Sequence, residues 1–294
     1  DSSTTTENNT QEEKLLNFPE FESPWVISDT DDLVLSDTNG TVYLINNLQV
    51  ISKDISTGEE EVLFTLREQP IFETTQLSNG KDKIAFVEDG ALKVFDITSQ
   101  EVTTFSDAGE FTIQDVQWSY DDSQVAIKQV ASNNSVTRYA IIDTNSQEFT
   151  YLADGGNQFD WFHQSNDYVY ARQLERVGEV QEFNETDFEN VKFSYEISSS
   201  QGALFSGELQ EFIDFKISPS DSQLLVRTGF RSLGFTPRDL KVFDVESLNL
   251  EKTISEEESQ GMNYLSSENE VLLTQSRFQS GVDSNGLIRR NLVS

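Results

Sequence analysis

The sequence predicts an all-β chain, a six-bladed β-propeller of four-stranded antiparallel blades, and three observations carry that expectation. Strands ending in an acidic or amide residue recur at Asp54, Asp96, Asp143, Glu196, Asp244 and Asn291, in steps of 42, 47, 53, 48 and 47 residues. A turn rich in Ser, Asp, Asn and Gly, leading into an apolar strand, precedes most of them. No segment holds apolar residues at helical spacing over three turns. A strand-built repeat of roughly 40 to 50 residues is the length of one propeller blade.

Within a repeat, the first and innermost strand ends on a polar residue followed by an apolar or aromatic one. These pairs are Gln76 before Leu77, Gln117 before Trp118, Asp160 before Trp161, Lys216 before Ile217 and Asn263 before Tyr264. Neighbouring side chains of a strand point to opposite faces. Gln76, Gln117, Asp160, Lys216 and Asn263 therefore line or cap the central channel, with Lys216 placed to pair with Asp160, while their neighbours pack between blades. A hydrated, hydrogen-bonded polar wall is the simpler account of the five.

A hairpin turn comes next, clearest at Ser119–Ser123 and Ser218–Ser222, with a third copy at Ser78–Gly80 and weaker ones around His163 and Ser266. Asp and Asn tolerate the left-handed backbone that such turns need. An apolar second strand follows, as at Val125–Ile127 and Leu224–Val226, and then the third strand with its terminal acid. After the acid, a turn such as Ile97–Gln100 or Thr144–Gln147 leads to an alternating fourth strand, as at Glu101–Phe105. The sixth repeat stops at Ser294 after its third strand, and Leu15–Phe21 is expected to supply its missing outer strand, limited by Pro19 to a short pairing.

At these turn and strand-end residues the chain resembles the TolB-like, or WD-repeat-like, propellers, whose blades carry Ser-Pro-Asp-Gly before the second strand and Asp at the end of the third. The resemblance spans residues 24 to 294. It departs from the motif where Asp122 and Asp221 stand at the Gly position and Ser220 at the Asp. What it implies is a fold; propellers serve many unrelated functions.

With 52 acidic against 20 basic residues, the 294-residue chain has a formal charge of −32. That charge repels phosphate backbones and anionic headgroups and argues against nucleic-acid binding and electrostatic membrane docking. There is no Cys, hence no disulfide and no thiolate metal site. Residues 1–14 read as a flexible tether of polar residues and 15–294 as a single propeller domain. A start at Asp1 without an initiator Met fits a mature chain from which a signal segment was removed, with a lipid anchor upstream of Asp1. The alternative is a boundary at which a longer chain was cut. The expected location is extracytoplasmic: periplasmic, cell-surface or secreted. No transmembrane run is present.

Little in the sequence carries catalytic chemistry. His163 is the only histidine, which excludes His-rich zinc sites and leaves any triad one base; its plainer reading is a polar group at a hairpin. Carboxylate clusters at Asp29, Asp31 and Asp32, at Asp121 and Asp122, and at Glu256–Glu258 lack the loop spacing that wraps calcium. No cofactor is expected.

The connections between second and third strands are the stronger signal. They are short in the first two blades and are expected to be long at 128–138, 172–192, 227–239 and 274–286, all at one end of the domain. Phe230, Arg231, Phe235 and Arg238 form a basic, aromatic island there, with Arg277 and Phe278 beside it. Such residues are enriched where partners bind, although Phe230 and Phe235 could equally tuck under the loop. The leading expectation is a non-enzymatic scaffold, monomeric or part of a larger assembly, that binds a protein on this face. The competing classes are a lactonase-like propeller enzyme with a channel metal, and a ligand-sensing module.

Overall fold

The computed structural model describes residues 33–38, 40–68, 74–105, 111–133, 136–177, 192–200, 202–209, 212–229, 238–247, 249–256, 259–264, 270–279 and 282–291. Among these residues the chain is built of antiparallel β-sheets. The first holds β1 (Leu33–Thr38), β2 (Thr41–Asn46), β3 (Gln49–Asp54) and β4 (Glu60–Thr65), and the second β5 (Thr75–Leu77), β6 (Lys83–Glu88), β7 (Ala91–Asp96) and β8 (Glu101–Phe105). The third holds β9 (Phe111–Trp118), β10 (Gln124–Ala131), β11 (Thr137–Asp143) and β12 (Phe149–Tyr151). The fourth holds β13 (Gly156–Trp161), β14 (Tyr168–Val177), β15 (Lys192–Ser199) and β16 (Gly202–Leu209). The fifth holds β17 (Phe212–Ile217), β18 (Gln223–Gly229), β19 (Arg238–Asp244) and β20 (Leu250–Glu256). The sixth has three strands, β21 (Ser259–Tyr264), β22 (Glu270–Gln279) and β23 (Val282–Asn291).

Each sheet runs in chain order, and the first strands of successive sheets touch: β1 with β5, β5 with β9, β9 with β13, β13 with β17 and β17 with β21. The core lies between sheets. Trp118, buried on β9, donates its indole N–H to the Gln76 carbonyl of β5 at 3.2 Å, and Trp161 on β13 donates to the Gln117 carbonyl at 3.1 Å. Phe95, Ile127, Ile142, Phe215 and Leu225 are nearly inaccessible. Each fully buried side chain of this kind is worth about 1.5–3 kcal/mol of transfer free energy.

The recurrent acid has a local cause. Asp54 accepts the backbone N–H groups of Ser56 and Thr57, both at 2.8 Å; Asp143 accepts those of Asn145 and Ser146, and Asp244 that of Ser247. A carboxylate at the end of the third strand thus satisfies the amides of the turn that follows.

Two sequence expectations are corrected. Glu196 does not end its strand: β15 continues to Ser199, and Glu196 sits opposite Arg172, whose Nη2 lies 2.9 Å from its Oε1. Nor are 274–286 a loop, because β22 and β23 pair without a break from Glu270↔Asn291 to Gln279↔Val282. Strands likewise cover both ends of the expected connections, to Ala131 and from Thr137, to Val177 and from Lys192, and to Gly229 and from Arg238. Polar residues on both sides of a ladder hide the alternation that marks a half-buried strand. The expected strand at 15–21 and the tether at 1–14 lie outside the described residues.

Candidate functional site

Gln76, Gln117, Asp160 and Lys216, on four successive first strands, line one cavity of about 540 Å³. Strand alternation places them there. Their neighbours Leu77, Trp118, Trp161 and Ile217 turn into the inter-sheet core and are each buried. Asn263 is on β21 at the corresponding backbone position, opposite Leu272. The side chains of β21 fall outside the described residues. Asn79, Tyr120, Phe162 and His163, from the turns after β5, β9 and β13, and the margins of Leu77, Trp118 and Trp161 complete the described wall.

Lys216 Nζ lies 3.7 Å from Asp160 Oδ2, and the two side chains remain 37% and 23% exposed, so both are reachable from the cavity. Burial pushes the Asp160 carboxyl up from its ordinary range, against the opposing pull of Lys216 and His163. Gln117 Nε2 donates to Asp115 at 2.8 Å and to the Phe159 carbonyl at 3.4 Å. Gln158, beside it on β13, exchanges two hydrogen bonds with the Phe215 backbone of β17 and locks those strands together.

The rim is stitched from sheet to sheet. His163 donates its backbone N–H to Asp221 Oδ1 at 2.7 Å, its ring Nδ1 lies 3.1 Å from the same oxygen, and the Gln164 N–H reaches Oδ2 at 2.9 Å. The one histidine is therefore anchored at a hairpin next to the cavity. Between the third and fourth sheets, Asn166 Nδ2 donates to Asp121 at 2.8 Å and to Ser123 at 3.1 Å. These contacts join segments 43 to 58 residues apart, and no local sequence signal announces them.

The basic, aromatic island lies only partly within the described residues. Phe230, Arg231 and Phe235 lie outside the described residues. Arg238 begins β19, paired with Gly229 and Glu256, while Arg277 and Phe278 lie within β22 opposite Ser284 and Asp283. In an antiparallel sheet in chain order, second-to-third-strand connections leave at the end opposite the first-to-second-strand turns. Arg238, Arg277 and Phe278 are thus at the end of their sheets opposite the first-to-second-strand turns that form the cavity rim.

Among the described residues no three His, Cys, Asp or Glu side chains converge to hold a metal ion, and no helix is long and apolar enough to cross a membrane. Burial raises the Tyr139 phenol far above its ordinary range, aided by Asp115 and Asp160, so it stays neutral beside the cavity wall.

No protein-family model matches the chain, and no curated protein sequence does. Solved structures do match in fold. An oligogalacturonate lyase in complex with manganese superposes with a TM-score of 0.63 at 11% identity, over 86% of this chain and 72% of its own. The tricorn protease gives 0.57 at 10% identity over 88% of this chain, of which this chain spans 31%. The β-propeller domain of the Trilobed protease from Pyrococcus furiosus gives 0.51 at 13% identity, over 87% of this chain and 78% of its own. The protein has a β-propeller fold.

Proposed function

We propose that the chain closes into a six-bladed propeller and serves as a non-enzymatic, extracytoplasmic scaffold that captures a protein partner at the end bearing the long connections. The observation behind this reading is the unevenness of that end. The first two sheets finish there in tight turns at Asn47–Leu48 and Asp89–Gly90. In the last three, the pairs β14–β15, β18–β19 and β22–β23 run on to Val177↔Lys192, Gly229↔Arg238 and Gln279↔Val282. Hairpins extended on three consecutive sheets give one side of the end relief that a partner can dock against. Phe230, Arg231, Phe235 and Arg238, with Arg277 and Phe278, supply the aromatic and guanidinium chemistry of binding hot spots.

The test replaces 178–191 and 230–237 by two-residue type I′ turns. The trimmed protein should keep its melting temperature and lose a partner that the intact domain retains from extract of its own cells. Equal retention by both would overturn the reading.

A second reading, an enzyme working in the cavity, is favoured by Asp160, Lys216 and His163 on one wall. A divalent cation does not fit the described donors: Asp160 is the one carboxylate of that wall, and the Lys216 ammonium beside it opposes a cation. Among the described residues, the groups available to such an enzyme include the Asp160 carboxyl and the Lys216 ammonium. Formation of unsaturated product from oligogalacturonate, lost on Asp160→Asn, would establish this reading; absence of turnover leaves the scaffold.

A further inference from the structure

The geometry points to a second binding site, the axial cavity lined by Gln76, Gln117, Asp160 and Lys216, for a neutral polyhydroxylated ligand of about disaccharide size. This goes beyond the scaffold reading and does not rest on it, since the cavity rim is at the end opposite the long connections.

Four properties of the wall select that chemistry. The volume of about 540 Å³ lies within the range of small-molecule pockets. Hydrogen-bonding capacity is left over. The Gln76 carboxamide has no partner among the described residues, and Gln117 spends only its Nε2, leaving Oε1 open. The 3.7 Å between Lys216 and Asp160 is longer than a direct hydrogen bond, so a hydroxyl can bridge them. Vicinal hydroxyls donate and accept at once, and so match a carboxamide, which does the same, beside the Asp160 acceptor and the Lys216 donor.

The apolar part of the wall is aromatic. Trp118 and Trp161, nearly buried with their N–H groups committed to backbone carbonyls, border the cavity, and Tyr120, 52% exposed, offers an accessible ring on its rim. The C–H faces of a pyranose pack on such rings.

Charge excludes the alternatives. Lys216 disfavours a cation at short range, and the chain's −32 disfavours an anion on approach. A neutral ligand meets neither penalty, and its affinity carries no salt dependence.

The experiment is calorimetric titration of the full chain with maltose, cellobiose and lactose at low and high salt, beside digalacturonate and the glucosamine dimer as charged comparisons. At least one neutral disaccharide should bind with equal affinity at both salt levels. Gln76→Ala and Gln117→Ala should each weaken that binding about fivefold, the loss of one hydrogen bond, with the melting temperature of Gln76→Ala unchanged. Gln76→Ala deletes no described contact of its side chain, so a folded variant is available whatever Gln117→Ala does. Heat from the charged probes alone, affinity unaltered in Gln76→Ala, or no heat with any neutral probe would overturn the assignment.

Discussion

Asp122 of the third sheet holds Gly80 of the second: its Oδ2 accepts the Gly80 backbone N–H at 2.6 Å, while Oδ1 accepts that of Asn79 at 2.8 Å. Asp221 of the fifth sheet grips His163 and Gln164 of the fourth in the same way. Both acids keep the left-handed backbone of the motif's Gly position, with φ of 58° and 62°. Asp tolerates that conformation better than most residues. It also adds a carboxylate that Gly lacks, and so ties one blade's turn to the next.

That clamp should be measurable. Asp122 is buried, and its removal takes the carboxylate acceptor from the amides of Asn79 and Gly80, hydrogen bonds to charged groups being worth about 1.5–3 kcal/mol each. Asp122→Ala is expected to cost about 2–4 kcal/mol in urea unfolding. Asp122→Asn, which keeps one acceptor oxygen, should cost about half as much. A midpoint for Asp122→Ala equal to that of the parent would show that the turn holds itself.

Acid should unfold the protein over a defined window. Asp121 is held down to about 2 from 3.8, first by the Ser123 hydroxyl and then by the Ser123 N–H, Asn166 and Ser119. Asp54, Asp96, Asp143 and Asp244 are lowered by bonds from Ser56, Ser99, Ser146 and Ser247 in their own turns. The unfolded chain binds these protons first. The stability they confer is complete above the unfolded value and drains as pH falls through the folded one. Asp160 works the other way, since its raised carboxyl takes its proton more readily in the fold. Glu88 and Glu196 are lowered as well, so Asp160 opposes seven carboxyls among the described residues, and below the pI of about 4.1 general repulsion rises again as the chain turns cationic. The melting temperature should be level above about pH 5 and fall between about pH 4 and 2, and Asp121→Asn should shallow that fall. A melting temperature that climbs through this window would contradict the assignment.

Much of the fold was legible because its punctuation is chemical and local. An acid that caps the turn after it, as Asp54 does for Ser56 and Thr57, must sit at a fixed place in every repeat, so its spacing reports the blade. The inner-strand alternation of Gln117 with Trp118 was legible for the same reason, one side chain to each face. Glu196 misled because an acid can also stand mid-strand when Arg172 lies across the ladder. Arg277 and Phe278 read as loop because β22 and β23 carry polar residues on both faces, and the ladder that orders them leaves no mark in composition. The clamps of Asp122 and Asp221 join residues 42 to 58 positions apart, a pairing that one sequence does not reveal.

Ring closure gives a sharp truncation test. The sixth sheet presents β23 as an outer edge among the described residues, and unpaired edges invite aggregation. If Leu15–Phe21 provides the missing strand, deleting residues 1–13 should leave the melting temperature unchanged and deleting 1–22 should lower it sharply and promote association. Equal melting temperatures for the two truncations would refute closure by this segment.

The scaffold reading makes its strongest demand on Phe230, Arg231, Phe235 and Arg238. Within a chain of net charge −32, a local group of guanidinium side chains gives an acidic partner one orientation of approach, and the planar fork of Arg fixes a carboxylate in that orientation. Replacing the two Phe by Ser and the two Arg by Ala should therefore abolish capture of the partner, make the residual association insensitive to salt, and leave the urea midpoint within about 0.5 kcal/mol of the parent, as expected for surface substitutions. An unfolded variant would mean that the two Phe pack beneath the connection; the paired Arg231→Ala, Arg238→Ala variant, which spares them, then carries the test through its effect on association rate. A folded quadruple variant that still captures the partner at the parental rate would place the binding surface elsewhere on the propeller.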